Sequence, residues 1–220
     1  DVYKRQILLS KTDQPDITDP KYFSIKEFYI LSPLGFVAAL FTGLAHSAVF
    51  GYGAIYVASR GLSLLEISIF MVIISSFGAI SQWPIGYLSD KIDRRIILIA
   101  ITFAAAGLSL FIVISSYISL ILFFILTALF STMCLPMYSV AVAHINDYLN
   151  PDEIVSASAT FNKLIGVGSI LGPILVSSTM TLFGSNGFFI YLFLVHGLLG
   201  LFGIYRMAKR RKPTDIESQY

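Results

Sequence analysis

From Ile96 to Asn146 this sequence runs 51 residues without an Asp, Glu, Lys or Arg, and from Leu164 to Tyr205 it does so again for 42 residues. Soluble domains draw about a quarter of their residues from those four types; this chain draws 13%. An apolar helix needs about 20 residues to cross the roughly 30 Å hydrocarbon core, so each run holds two crossings and a turn. The first breaks near Ser115-Ser116-Tyr117 and the second at Gly184-Ser185-Asn186-Gly187, both small or polar turn sequences. Two shorter charge-free runs, Phe28 to Ser59 (32 residues) and Ile67 to Ser89 (23 residues), suffice for one crossing each. The sum is six spans, at 31–58, 64–88, 96–114, 119–147, 153–183 and 188–208. Only helices and closed barrels cross lipid. Spans of this length without period-2 alternation exclude barrel strands, so the expected fold is all-α, an integral membrane bundle embedded in a lipid bilayer.

The charged residues sit in the connections, as the cost of burying charge in lipid demands. With six spans, both ends of the chain lie on one side. That side holds Lys4, Arg5, Lys11, Lys21, Lys26, Lys91, Arg94, Arg95, Arg206, Lys209, Arg210, Arg211 and Lys212, with Lys163 near the start of the fifth span; the opposite connections hold only Arg60. The positive-inside rule then places both termini in the cytoplasm, and the expected location is the cell's inner membrane. Residues 1–30 are expected to be a polar cytoplasmic segment, 31–208 the transmembrane unit, and 209–220 a basic tail. The opening Asp1-Val2-Tyr3-Lys4-Arg5-Gln6 lacks an initiator Met and is unlike a natural start, so a piece of a longer protein is expected. The turn Asn150-Pro151-Asp152-Glu153 reads as a helix start, Asn150 or Pro151 opening it and two acids meeting the positive end of the dipole. A lone Cys134 excludes a disulfide framework or a thiolate metal cluster.

Function must be read from the few polar residues in and beside the spans. His46 lies midway along the first span, where an ionisable group is a functional candidate. Two readings stand: a contact on a solute pathway, or a buried His bonded to a neighbouring helix. Gln82, beside Trp83, is either part of an interface anchor or a second pathway residue; Tyr138 is a third pathway candidate. His144, Asn146 and Asp147 cluster at the end of span four, as an interfacial cap or a gate. Gly168, Gly172 and Pro173 in span five offer a small-xxx-small face followed by a helix-breaking residue. That face is either plain packing or a bend that moves. The other in-span glycines, Gly35, Gly43, Gly78, Gly107, Gly166, Gly197, Gly200 and Gly203, are expected to permit close helix approach.

The sharpest pattern is Gly86-Tyr87-Leu88-Ser89-Asp90-Lys91-Ile92-Asp93-Arg94-Arg95, between spans two and three. It resembles the signature loop of the major facilitator superfamily, Gly-x-Leu-Ala-Asp-Arg-x-Gly-Arg-Arg. Gly86, Leu88, Asp90, Arg94 and Arg95 match, Lys91 is a conservative match, Ser89 replaces Ala, and Asp93 stands where the family has Gly. Gly168 to Pro173 resembles the Gly-x-x-x-Gly-Pro element of its antiporter-type members. The resemblance covers residues 20–212 and points to a poorly characterised bacterial branch. It implies a twelve-helix transporter in two halves, of which this chain is the C-terminal one, spans seven to twelve. The implied activity is alternating-access transport of a small-molecule substrate, with the missing N-terminal six-helix half as partner. His46 would then lie on a cavity-lining helix and His196 on a peripheral one. Asp90 would face a helix N-terminus of the missing half, and Arg94 and Arg95 would pair with Asp147, Asp152 or Glu153. Proton coupling would depend mainly on an acid outside this piece, since no mid-span Asp or Glu occurs here. No cofactor, metal or nucleic-acid partner is expected, and no enzyme activity: Gly-x-Ser-x-Gly and His-Glu-x-x-His are both absent. The alternative from another class is a membrane redox subunit with His46 and His196 as haem ligands.

Overall fold

A computed structural model describes residues 23–115 and 118–209. All regular structure among them is helical: α1 (Ile25–Leu31), α2 (Pro33–Ser59), α3 (Leu64–Lys91), α4 (Arg94–Ser115), α5 (Leu120–Cys134), α6 (Met137–Asn146), α7 (Ile154–Phe183), a 3-10 turn (Gly184–Asn186) and α8 (Gly187–Lys209). Counting α5 and α6 as one crossing, these make the six expected spans. The part of the polar segment before Phe23, Ser116 and Tyr117 of the first turn, and the tail from residue 210 lie outside the described residues.

Local chemistry sets the helix starts. Ser24 and Glu27 form a reciprocal capping box on α1, and Ser63 and Glu66 form another on α3. Ser32 accepts the Gly35 amide at 3.2 Å, with Pro33 at the first position of α2, where a missing N–H costs nothing. The helix α1 is not a free linker. Its Phe28 is fully buried, and Phe23 exchanges hydrogen bonds with Ser156 and Thr160 of α7 at 2.9 and 2.8 Å.

Two expected boundaries change. The fifth span starts at Ile154, past the proposed opening residues. Glu153 turns back, its Oε2 accepting the Asn150 amide at 3.1 Å, so the turn is closed on itself before the helix begins. Span four is not continuous: α5 ends at Cys134 and α6 begins at Met137. Pro136 has no N–H to give the Thr132 carbonyl, and its ring crowds the preceding turn. Pro173, by contrast, is accommodated inside an unbroken α7.

The helix α2 is the centre of the bundle, packing on α7, α8, α6 and α3, while α4 packs on α8 and α5, and α3 mainly on α5. The core follows that order. Ala38, Ala45, Ala48 and Val49 of α2 are fully buried. On α3, Leu65, Val72, Ile80 and Trp83 stay exposed. At the end carrying Arg60, an aromatic cluster closes the bundle: Tyr56 stacks on Phe188 at 4.8 Å, and Phe70 on Phe123 at 5.7 Å.

Candidate functional site

The signature loop folds as a two-residue turn, Ile92 and Asp93, between α3 and α4. Asp93, the departure from the family pattern, has a clear role. It sits just before α4 and its Oδ1 accepts the Arg95 backbone N–H at 3.0 Å, the geometry of an N-cap. Its two oxygens also take the Arg95 guanidinium at 3.0 and 2.7 Å. Arg95 is buried, with 6% of its side chain exposed. It pairs with its own turn. A glycine could make a tight turn here but could supply neither the cap nor the counter-charge.

Arg94 does reach the next turn. Its Nε lies 2.9 Å from Asp147 Oδ2, and its Nη1 3.0 Å from Asp90 Oδ1. One guanidinium thus ties the end of α3 to the end of α6. Asp90 stays 66% exposed, so its carboxylate is available to a group outside this chain. Asp147 titrates above the ordinary carboxylate range. Loss of solvent against the helix ends pushes it up most, with help from Asp90 and Asp93; the Arg94 charge pulls the other way and does not win. Gly86 and Leu88 lie on the outward part of α3, with nothing near the missing Gly86 side chain. Lys91 sits over the Tyr87 ring at 4.2 Å, a cation–π contact.

The residues His144, Asn146 and Asp147, adjacent in sequence, face three ways. His144 points inward, edge-on to Tyr148 at 5.3 Å, and shares a crevice with Ser32, Arg95 and Arg206. Asn146 lines a cleft between α6 and α7 with Tyr138, Ser158, Phe161 and Asn162. Asp147 belongs to the Arg94 pair. Tyr138 stands edge-on to Phe161 at 5.7 Å, and the Gln82 side-chain Oε1 accepts from Ser139 Oγ–H at 3.2 Å on the exposed side of α3 and α6.

His46 is half-buried and bonded to a neighbouring helix: its Nε2 lies 3.2 Å from the Cys134 carbonyl, at the break in span four. A carbonyl only accepts, so Nε2 carries the proton. His196 is fully buried, its Nδ1 on the Leu192 carbonyl at 2.7 Å and its Nε2 without a hydrogen-bond partner among the described residues. Its ring lies edge-on to Phe130.

The glycines divide sharply. A Cβ on Gly168 would meet the Leu40 carbonyl and come within 2.9 Å of the Leu44 nitrogen; one on Gly172 would meet Ser47 and fall 2.7 Å from the Leu44 carbonyl. Gly43 answers them from α2, so these helices touch backbone to backbone. Gly35, Gly78, Gly200 and Gly203 also face close neighbours, but Gly107, Gly166 and Gly197 have open space and do not serve close approach within this chain. The sequence reading missed Pro136 and Asp93 as site builders. The proline was visible as a helix breaker in Cys134-Leu135-Pro136-Met137.

The Major Facilitator Superfamily profile matches residues 35–219. An uncharacterized MFS-type transporter of Yersinia enterocolitica is 27% identical over 190 residues, 85% of this chain and 46% of its own length. A counterpart in Yersinia pestis is 25% identical over the same shares. The uncharacterized MFS-type transporter YcaD of Escherichia fergusonii is 27% identical over 157 residues, 71% of this chain and 40% of its own length. No solved structure matches. The chain spans about half the length of the curated relatives it matches. A family match over most of the chain, on a six-span helical bundle with this loop between its second and third spans, makes the chain a member of the major facilitator superfamily of membrane transporters.

Proposed function

We propose that this chain is the C-terminal six-helix half of a secondary transporter that moves a small solute by alternating access. The observation that carries the reading is the family match over residues 35–219 on a chain covering 46% of a relative's length. A half is what such coverage leaves. The exposed side of α3 and α6, with Gln82, Ser139 and Tyr138, then faces the N-terminal half across the solute pathway. The charged end with Lys91, Arg94 and Asp147 is cytoplasmic, by its excess of bases. Asp90, exposed and only one step from Arg94, latches the two halves there by meeting the positive end of a helix in the other half. The protein is not an enzyme in this reading, and any proton coupling rests on acids outside these residues. The haem reading gains nothing: His46 spends Nε2 on Cys134.

The test uses the full-length protein in proteoliposomes, screened for uptake of radiolabelled small solutes. Transport should need both halves, and Asp90→Asn should shift cytoplasmic cysteine labelling toward the inward-open form while lowering transport. Uptake by residues 1–220 alone would overturn the half-transporter reading. Unchanged labelling and transport in Asp90→Asn would reduce the loop to a topology anchor.

A further inference from the structure

The end of the bundle that carries Arg60 holds a cavity of about 180 Å³ between the close of α2 and the start of α5, lined by Tyr56, Arg60, Leu62, Leu120 and Phe123. Its floor is aromatic and buried, with Tyr56 1% and Phe123 2% exposed. The two rings meet at 6.2 Å, tilted by 49°. Each is backed by a stacked neighbour, Phe188 behind Tyr56 and Phe70 behind Phe123, which holds it in place. The rim is formed by Arg60, Leu62 and Leu120, all at least partly exposed. Arg60 Nη1 comes within 3.5 Å of the Tyr56 hydroxyl, so the guanidinium stands at the mouth above the aromatic floor. Arg60 is also the lone base in the connections at this end, against the usual bias that gathers bases on the other side. Glu66, the acid at this end, turns its Oε2 to the Ser63 amide and hydroxyl, at 2.7 Å each, and so serves the start of α3.

We propose that this cavity binds a small aromatic carboxylate, with its ring on Tyr56 and Phe123 and its carboxylate on Arg60. Three features select that ligand. The first is size: an apolar cavity of about 150 Å³ takes up benzene, so this one holds a single ring with a carboxylate at its mouth. The second is shape. A floor of tilted, fixed rings suits a flat apolar body that meets them by offset stacking or edge to face, and a floor already held in place costs little to order on binding. The third is charge. The planar guanidinium fork matches the two oxygens of a carboxylate, and its stem can lie along apolar surface while its head stays at the mouth. A lipid phosphate would satisfy Arg60 but leave the aromatic floor unmatched. The cavity belongs to α2, α5 and the connection after α2, so its ligand does not depend on the transport reading.

The test is equilibrium binding of radiolabelled benzoate to the full-length protein in phosphatidylcholine nanodiscs. Binding should be saturable. Benzamide, of the same shape but neutral, should compete at least about tenfold more weakly, the scale of one hydrogen bond to a charged group. Arg60→Gln should weaken benzoate by a similar factor and bring the two compounds to equal affinity. Arg60→Lys, which keeps the charge without the fork, should fall between. Leu120→Trp, at the exposed rim, fills the cavity and should abolish binding of both. Size exclusion checks that each variant is folded; should Leu120→Trp fail to accumulate, Leu62→Phe is read the same way. No saturable binding overturns the proposal, as does equal affinity for benzamide in the parent. Benzoate binding unchanged by Arg60→Gln or by filling the cavity overturns it too, because the compound is then held elsewhere. Binding that vanishes once the nanodiscs contain phosphatidylglycerol assigns the cavity to a lipid phosphate and overturns the aromatic ligand. Because the assay reads binding alone, a protein that holds benzoate here yet moves no solute counts against the transport reading only, and a working transporter without this binding counts against the cavity only.

Discussion

Two regions stand out in the sequence, the glycines of span five and the charged loop after span two, and they are held by opposite physics. Along the α2–α7 seam, Gly43, Gly168 and Gly172 bring main chains into contact, and no charge is involved. Contact of that kind is indifferent to salt and pH, and leaves nothing to yield. In the loop, two adjacent arginines are graded by solvent. Arg95 is buried on Asp93, with 6% and 16% of the side chains exposed; Arg94, at 23%, bridges two acids exposed to 66% and 39%. The seam and the Arg95 pair build the scaffold. The Arg94 pair is the weaker and wetter tie between the two helix ends.

Breaking the seam should have the largest effect. Gly168→Leu drives a side chain into main-chain atoms of Leu40 and Leu44, which cannot step aside as a side chain could. The cost should reach or exceed the about 3 kcal/mol at the upper end of ordinary overpacking, read as loss of monodisperse protein on size exclusion. Gly166→Ala, two residues away and facing open space, should be neutral or mildly stabilising by up to about 1 kcal/mol, since Ala is the better helix former. Equal damage from both would mean that the seam is not special.

Arg95→Ala comes next. It removes the partner of a mostly buried carboxylate, which for a buried pair costs about 3 kcal/mol, and should lower the thermal midpoint clearly. Arg94→Ala should cost at most about 1 kcal/mol. At 1 M salt, where screening acts over about 3 Å, the Arg94 deficit should vanish while the Arg95 deficit persists. Two arginines with the same salt response would erase the distinction between the two pairs.

The smallest effect is in pH. Asp147 binds its proton more tightly when folded than its ordinary value of 3.8 would give, because burial outweighs Arg94. The folded state therefore holds more protons than the unfolded state between those two values, and stability gains as pH falls through that interval. Relative to Asp147→Asn, the wild type should become more stable between pH 6 and pH 4 in thermal melts. A relative loss on acidification would show that the ion pair outweighs burial, placing Arg94–Asp147 with the scaffold.

The charge-free runs by themselves determined the class of fold and the number of crossings, because the bilayer forbids unpaired charge and sets the length of a span. The break at Gly184 to Gly187 and the resemblance at Asp90 were legible for the same local reasons, turn chemistry and residue order. Partner choice was not legible. Nothing in the order of residues says that Arg95 turns back to Asp93 while Arg94 crosses to Asp147, or that His144 and Asn146 part company, since side-chain direction depends on which helices arrive alongside. The same holds for the glycines: Gly166 and Gly168 are alike in sequence, and only the position of α2 makes one a contact and the other a gap. Pro136 went unread and breaks its span, whereas Pro173, read as a helix breaker, leaves its helix unbroken. What a proline does to a span is not written in the proline itself, and the carbonyl left open beside the break, that of Cys134, meets His46, 88 residues away in the chain.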